Sequence, residues 1–317
     1  MSGKQSATAF APASIGNVAV GFDMLGLAIS GVGDRVTARR IEGEGVRIDA
    51  VYAPDGSRHA RLPTETANNT AGVAAATLWD ELGDGGLELV VRKGTPLNSG
   101  MGSSAASAVA GAVAANALLE RPLPMKDLLR FALAGEAVAS GSPPHADNVA
   151  PSLLGGLVLC PPALLPEVLS LDVPHGVSSV LLHPDLEVST AESRRALRKT
   201  IDVDDWLAQQ GYLAAFIAAC RFNDHQWLAR ALRDVVIEPQ RAGQVPCFAA
   251  VRDAAYERGA FGCSLSGSGP SLFALCPDEA AAEVASAMTA ACRGQGYDCR
   301  HWVSPMTAPG AAVEDSE

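Results

Sequence analysis

The chain has 317 residues, with 24 Lys and Arg against 35 Asp and Glu, a formal net charge of −11. An acidic surface of that size repels nucleic acid and anionic lipid, so a phosphorylated ligand must find a local positive site. Hydrophobic residues at 48% and charged residues at 19% supply a large core and exclude wholesale disorder.

Cysteine and histidine usage narrows the class further. The seven cysteines (Cys160, Cys220, Cys247, Cys263, Cys276, Cys292, Cys299) are odd in number, lie in the second half and form no Cys-x-x-Cys. Buried reduced thiols in the cytoplasm are the expected state, and the six scattered histidines disfavour zinc. The opening MSGKQSATAFAPASIGN has no apolar stretch after a basic start, and no apolar run is long enough to cross a bilayer. The expectation is a soluble protein with no membrane and no nucleic-acid partner.

In chain order, residues 6–12 predict a strand ending at Pro12, followed by a glycine-punctuated segment and an apolar run over 27–29. Strands are expected over 35–41, 46–51 and 87–92, with a helix over 69–82 broken by Gly83 to Gly86. Residues 103–119, SSAASAVAGAVAANALL, predict an alanine-rich helix whose lack of bulk implies close packing. Pro122 and Pro124 precede a helix over 125–140, which residues 141–144 end. Gly155-Gly156 leads into a strand over 157–160, and the proline-rich CPPALLP marks a domain boundary. The second half alternates strands (177–182, 263–265, 271–276, 297–303) with helices (about 203–220, 224–234, 243–258, 279–293). This pattern predicts an α+β fold with helices on one face. The closing APGAAVEDSE predicts a disordered tail.

The strongest chemical signal is Pro96-Leu97-Asn98-Ser99-Gly100-Met101-Gly102-Ser103-Ser104-Ala105-Ala106, set between a strand and a helix. Glycines let the backbone approach a ligand. The first N–H groups of the helix have no intrahelical partners and, with the helix dipole, favour an anion. Ser103 and Ser104 add hydroxyls for phosphate oxygen or Mg²⁺. The loop lacks the Gly-Lys-Ser/Thr of a Walker motif, and the nearest lysine, Lys93, stands on the strand side. The bland alternative is a glycine turn with a serine cap.

This loop resembles the second motif of the GHMP kinases. Ala11-Pro12-Ala13-Ser14-Ile15-Gly16-Asn17 running into Gly21-Phe22-Asp23 resembles the first motif. Gly262-Cys263-Ser264-Leu265-Ser266-Gly267-Ser268-Gly269-Pro270-Ser271 resembles the third. Within the family the similarity is greatest to the branch that phosphorylates homoserine. It is carried by Asn17 with Asp23, by HADNVAPS from His145 ahead of Gly155-Gly156, by Thr190 with Arg194, and by Glu238-Pro239 with Arg241. Asn98 departs from the pattern, where glycine is usual, but asparagine tolerates left-handed φ.

The resemblance implies a two-domain architecture: a ribosomal-protein-S5-like ATP-binding domain over 1–160 and a ferredoxin-like domain over 161–307, with 308–317 as the tail. It implies ATP and Mg²⁺ as cofactors, L-homoserine as substrate and a homodimer. The nucleotide is expected on the loop from Pro96 to Ala106 and near Asn69, whose alternative role is a helix cap.

Glu136 continues the helical face of Leu129, Ala132 and Leu133, and a carboxylate on an apolar face needs a partner. Mg²⁺, shared with Ser104, is one such partner; an ion pair with a distant arginine is the other. Asp23, Asp147 and Asn148 suit an ammonium and a hydroxyl. Arg194 and Arg241 suit a carboxylate, which the guanidinium fork grips bidentately. Asn17 and Thr190 join these as substrate residues by resemblance. Plain alternatives are a turn cap for Asp23 and a solvated run for Arg194 with Arg195, Arg198 and Lys199. Glu136, Asp147 and Asn148 are the catalytic candidates; His145 is expected to be structural. The third motif is expected to pack beneath the phosphate loop. Two rival functions stay open: a family kinase for another small hydroxyl compound, and a silent sensor of nucleotide and amino acid.

Overall fold

The computed structural model describes residues 4–140 and 144–314. In order, the elements are β1 (Ser6–Gly16), β2 (Leu25–Ile41), β3 (Gly45–Tyr52), α1 (Thr70–Leu82), β4 (Gly86–Arg92), α2 (Ser103–Asn116), α3 (Leu129–Ser140) and α4 (Ala146–Leu154). There follow β5 (Leu157–Leu159), β6 (Leu169–Leu171), β7 (Val177–Pro184), α5 (Thr190–Arg195), α6 (Val203–Phe222), α7 (His225–Ala231) and α8 (Glu238–Arg241). The last are α9 (Phe248–Glu257), β8 (Gly262–Leu265), β9 (Leu272–Pro277), α10 (Ala281–Gly294), β10 (Cys299–Pro305) and β11 (Ala312–Glu314).

The first sheet runs β11-β1-β2-β4-β3, with β5 and β6 continuing off the first part of β2. The apolar run at 27–29 and the expected strand at 35–41 are one 17-residue strand, β2, in which Gly31 takes a φ of 83° at a register shift against β1 without ending the strand. Its start pairs with β5 and its end with β4. The helices α1 to α4 bury their apolar faces on this sheet, around Leu78, Trp79, Leu87, Leu89, Val109, Phe131 and Val149. The absence of bulk in α2 lets neighbouring backbones touch it: a Cβ on Gly111 would lie 2.5 Å from the Ala71 carbonyl oxygen.

The second sheet is antiparallel, in the order β10-β7-β9-β8. On one face α9 and α10 pack around Val251, Val284 and Met288. On the other, Leu181, Phe273 and Leu275 join Ile15, Leu27, Ile29 and Met101 from the first half and Phe216 from α6 in a shared core. The two halves therefore meet through buried apolar side chains, which fixes the cleft between them.

Two expectations need correction. The tail is not disordered where it is described: residues 312–314 form β11, paired with β1 from Thr8↔Glu314 to Phe10↔Ala312. Edge pairing supplies backbone partners that a small, acidic sequence does not advertise; residues 315–317 lie outside the described part. The boundary does not fall at 160, since β6 pairs with β5 in the first sheet, and the second sheet begins at Val177. Residues 146–154, to which the sequence pattern assigned no element, form a helix, α4, with Pro151 inside it. Of the predicted break at 141–144, residues 141–143 lie outside the described part.

Candidate active site

The phosphate loop leaves β4 at Lys93 and enters α2 at Ser103. Asn98, Gly100 and Gly102 all take positive φ (52°, 73° and 65°), so the asparagine does stand where a glycine would serve. Gly102 is the N-cap and offers no capping side chain, so no side-chain hydrogen bond covers the start of α2. The first bond that closes the helix runs from Ala106 N to Gly102 O at 2.9 Å. The amides of residues 103–105 are therefore left for a ligand.

Not every residue of the loop faces outward. Leu97, Asn98, Ser99, Gly100, Gly102, Ser103 and Ser104 line a cavity of about 440 Å³. Met101 is turned into the core between the sheets, and Ala105 and Ala106, in the first turn of α2, are fully buried. The two serines differ. Ser103 Oγ is tied to Thr95 Oγ1 at 2.9 Å. Ser104 is half-buried at the cavity wall, its hydroxyl unpartnered among the described residues.

The third motif braces the loop from the other half. Ser266 Oγ donates to Gly100 O at 2.5 Å, Ser271 N donates to Ser99 O at 3.1 Å, and Gly267 N donates to Gly16 O at 3.1 Å. Its packing beneath the loop matches the expectation.

The opposite wall comes from the turn between β1 and β2 and from α4. Asn17, Val18 and Ala19 all have positive φ (68°, 45° and 59°), and Asp23 follows at 57°. A β-branched residue in the left-handed region is a backbone outlier of order 1–3 kcal/mol, and nothing in the composition announced it. The turn is held by its own side chain: Asn17 Oδ1 accepts from Asp23 N, and Asn17 Nδ2 donates to Gly267 O, both at 3.0 Å. Asn17 N donates to Asp147 Oδ2 at 3.1 Å. Room for Asp147 comes from paired glycines on the hairpin: a Cβ on Gly16 would lie 2.7 Å from Asp147 Oδ2, and one on Gly26 would lie 1.8 Å from its carbonyl oxygen. Asn148 Oδ1 accepts from Ser14 Oγ at 3.0 Å, next to Gly102.

Charges are unevenly satisfied. Burial, with the nearby Asp23 charge, pushes Asp147 up to about 6, against the pull of His145 and the Asn17 amide. Burial works against a charged His145, but Glu136 and Asp147 outweigh it and hold its pKa above the ordinary value. Its Nδ1 stands 3.5 Å from Glu136 Oε1. Arg194 grips Asp23 bidentately, at 2.8 Å for each bond. The two were expected on different ends of a ligand; in this structure they neutralise each other. Arg241 donates to Gly267 O at 3.1 Å, and both guanidinium groups lie over the Phe22 ring, at 5.2 Å for Arg241 and 5.6 Å for Arg194.

Among the described residues, two buried side-chain atoms have no partner, Glu136 Oε2 and Arg241 Nε. Both side chains line this cavity, with Asn17, Asp23, Asn69, Asp147, Asn148, Thr190 and Arg194. Asn69 spends its side chain on the fold, accepting from Ala71 N and Gly72 N and donating to Pro63 O, so the cap alternative is realised. Its exposed neighbour Asn68 is the freer polar group at that end. Thr190 Oγ1 meets Ser268 Oγ at 3.2 Å. Sequence reasoning missed Asp34, which accepts hydrogen bonds from Thr95 and Ser107 and pairs with Lys93 under the loop. Its signal was an acid one residue ahead of the predicted strand 35–41 and a lysine one residue past the predicted strand 87–92.

An open helix start, a carboxylate oxygen without a partner and a buried arginine meet in one cleft, the arrangement of a phosphotransferase site. The profile for the GHMP kinases N terminal domain matches residues 69–156, and that for the GHMP kinases C terminal matches 213–294. The chain belongs to the GHMP kinase family. Within it, the chain is similar end to end to homoserine kinases. It is 46% identical to the homoserine kinase of Xylella fastidiosa (strain M12), over 97% of this chain and 94% of that one. It is 45% identical to that of Xanthomonas campestris pv. campestris (strain B100), over 98% and 95%. The solved homoserine kinase of Cytophaga hutchinsonii superposes with a TM-score of 0.94 at 40% identity, over 99% of both chains.

Proposed function

We propose that this chain transfers the γ-phosphate of ATP to the side-chain hydroxyl of L-homoserine, giving O-phospho-L-homoserine for threonine biosynthesis. One observation carries the reading: the two orphaned buried atoms are one acceptor and one donor in the same cleft. Buried polar groups are almost always satisfied, so each marks where a ligand completes the site. Glu136 Oε2 asks for a cation, and Arg241 Nε for a carboxylate.

The triphosphate lies against the amides of residues 103–105, with its adenosine toward Asn68 and Thr70. Glu136 and Ser104 are hard oxygen ligands that fit Mg²⁺. When bound, Mg²⁺ neutralises charge on the phosphates. The amino-acid substrate lies between Arg241, Arg194, Asp23 and Thr190. Its ammonium takes over from Arg194 as the partner of Asp23, and its carboxylate takes the freed guanidinium together with Arg241. Asp147, steadied by Asn148 and the Asn17 amide, accepts the substrate hydroxyl and aims its oxygen at the γ-phosphorus. Transfer passes through a loose transition state, so alignment and charge neutralisation account for most of the rate.

The first sheet and its helices supply the nucleotide side, and the second half supplies Thr190, Arg194 and Arg241. A cytoplasmic setting agrees with seven buried free cysteines. A homodimer belongs to the same reading, supported by the exposed Val203, Trp206 and Leu207 at the start of α6. A coupled ADP-release assay across homoserine, mevalonate, galactose and shikimate tests the function. Turnover confined to homoserine is expected. Turnover of another alcohol in its place overturns the substrate, and binding of ATP and homoserine without ADP release makes the chain a sensor.

A further inference from the structure

Under the phosphate loop lies a polar cluster that no ligand role explains. Asp34, on β2, is fully buried, and its carboxylate is surrounded by donors. Oδ1 accepts from Gly94 N at 2.9 Å, Thr95 N at 3.1 Å and Thr95 Oγ1 at 2.7 Å. Oδ2 accepts from Ser107 Oγ at 2.6 Å and forms an ion pair with Lys93 Nζ. Lys93 in turn donates to Ser103 O and to Ser107 Oγ, both at 2.8 Å. Thr95 Oγ1, already on Asp34, also reaches Ser103 Oγ at 2.9 Å.

These contacts fall at the two ends of one loop. Gly94 and Thr95 are where the chain leaves β4; Ser103 and Ser107 are the first turns of α2. We propose that Asp34 is a positioning residue for the nucleotide: one buried carboxylate, working through Lys93 and Thr95, clamps the entry and exit of the phosphate loop. The amides of residues 103–105 are thereby held at a fixed spacing. The inference rests on the kinase reading above and adds a residue to it.

Electrostatics explains why the clamp is an ion pair. A bare carboxylate beneath the phosphate site would repel the triphosphate across a low-dielectric gap. Lys93 cancels that charge, so the helix start stays attractive to anions. Such a pair adds little net stability over apolar packing, but it fixes polar groups in one geometry.

The test compares Lys93→Met, Thr95→Val and the double variant Asp34→Asn/Lys93→Met in the full chain, with steady-state KM for each substrate and direct titration with Mg-ADP. Lys93→Met, which leaves Asp34 charged, is expected to raise the KM for ATP and the Kd for ADP by about tenfold or more, with the KM for homoserine within about twofold. Adding Asp34→Asn removes the stranded charge and is expected to recover the melting temperature but not the affinity for ADP, because the bridge through Lys93 is still missing; a merely structural role would recover both. Thr95→Val keeps shape and charge and is expected to weaken ADP severalfold with an almost unchanged melting temperature. It carries the test alone if Lys93→Met does not fold. Equal loss for both substrates, or recovery of ADP affinity together with the melting temperature in the double variant, overturns the proposal, as does an unaltered Kd for ADP in Thr95→Val. Failure of the unmutated chain to bind ADP at all sinks the kinase reading instead.

Discussion

Asp147 has its carboxyl where water does not reach, and its pKa near 6 reports the cost. Because the folded value lies above the ordinary 3.8, the native state keeps this proton to higher pH than the unfolded chain does. The charged form therefore destabilises the fold above about pH 6, and the penalty fades as pH falls toward 4. Asp147→Asn is expected to abolish turnover yet raise stability at pH 8 by on the order of 2 kcal/mol, an advantage that disappears near pH 4. Thermal melts at the two pH values check this. The same titration predicts an acid limb near pH 6 in kcat/KM, since a protonated Asp147 no longer accepts from the substrate. Asp23→Asn removes a raising charge, so the limb should move to lower pH. Glu136→Gln, with its orphaned oxygen, should cut kcat about 100-fold or more while leaving homoserine KM within severalfold. Near-normal turnover in that variant would remove Glu136 from the metal site.

How far such residues were legible depends on what made them visible. Glu136 showed as a carboxylate on an apolar helical face, and Arg241 as a fork able to hold a carboxylate. The mutual pairing of Asp23 and Arg194 was not legible, because 171 residues separate them and only the fold brings them together. The same holds for Asp34, whose partners come from the segment just after β4 and from α2. The left-handed run from Asn17 to Ala19 was hidden for a different reason: Val18 and Ala19 do not favour that conformation locally, and tertiary bonds from Asn17 to Asp147 and Gly267 hold the turn.

At the level of elements, the phosphate loop is a compromise between approach to a ligand and packing against two neighbours. Gly102 shows how narrow the space is. A Cβ there would lie 2.2 Å from Ser14 Oγ and 3.0 Å from Asn148 Oδ1, at a φ of 65° that L side chains rarely adopt. Gly102→Ala is therefore expected to displace Asn148 and the start of α2 together. The outcome should be a loss of at least about tenfold in kcat/KM and about 1–2 kcal/mol of stability, read by kinetics and denaturant titration. The long periodic elements were predictable from pattern. The exception was α4, where Pro151 removes the N–H that would have bonded the Asp147 carbonyl; tertiary packing of Val149, Ala150 and Leu153 outweighs that loss.

Across the whole molecule, the cleft exists because two sheets share a core, and the first sheet draws on both ends of the described chain. Arg35 on β2 reaches Glu314 on β11 at 2.9 Å, and Ala311 N donates to Ser152 O at 2.9 Å. Removing residues 308–317 is expected to uncover the β1 edge and lower the melting temperature by several degrees, with the substrate KM values little changed. A truncated chain that melts at the same temperature would make β11 dispensable. The prediction of a disordered tail failed at this scale because three short residues gain their order from a partner strand rather than from their own composition.

That late pairing also bears on biosynthesis. A ribosome makes residues 8–10 some three hundred residues before their neighbours at 312–314. Throughout translation one flank of the nascent sheet carries bare amides and carbonyls, open to any other extended segment nearby. The protein is therefore most vulnerable to misassembly while it is being made, and chaperone depletion should be felt in its yield before it is felt in the activity of molecules already folded.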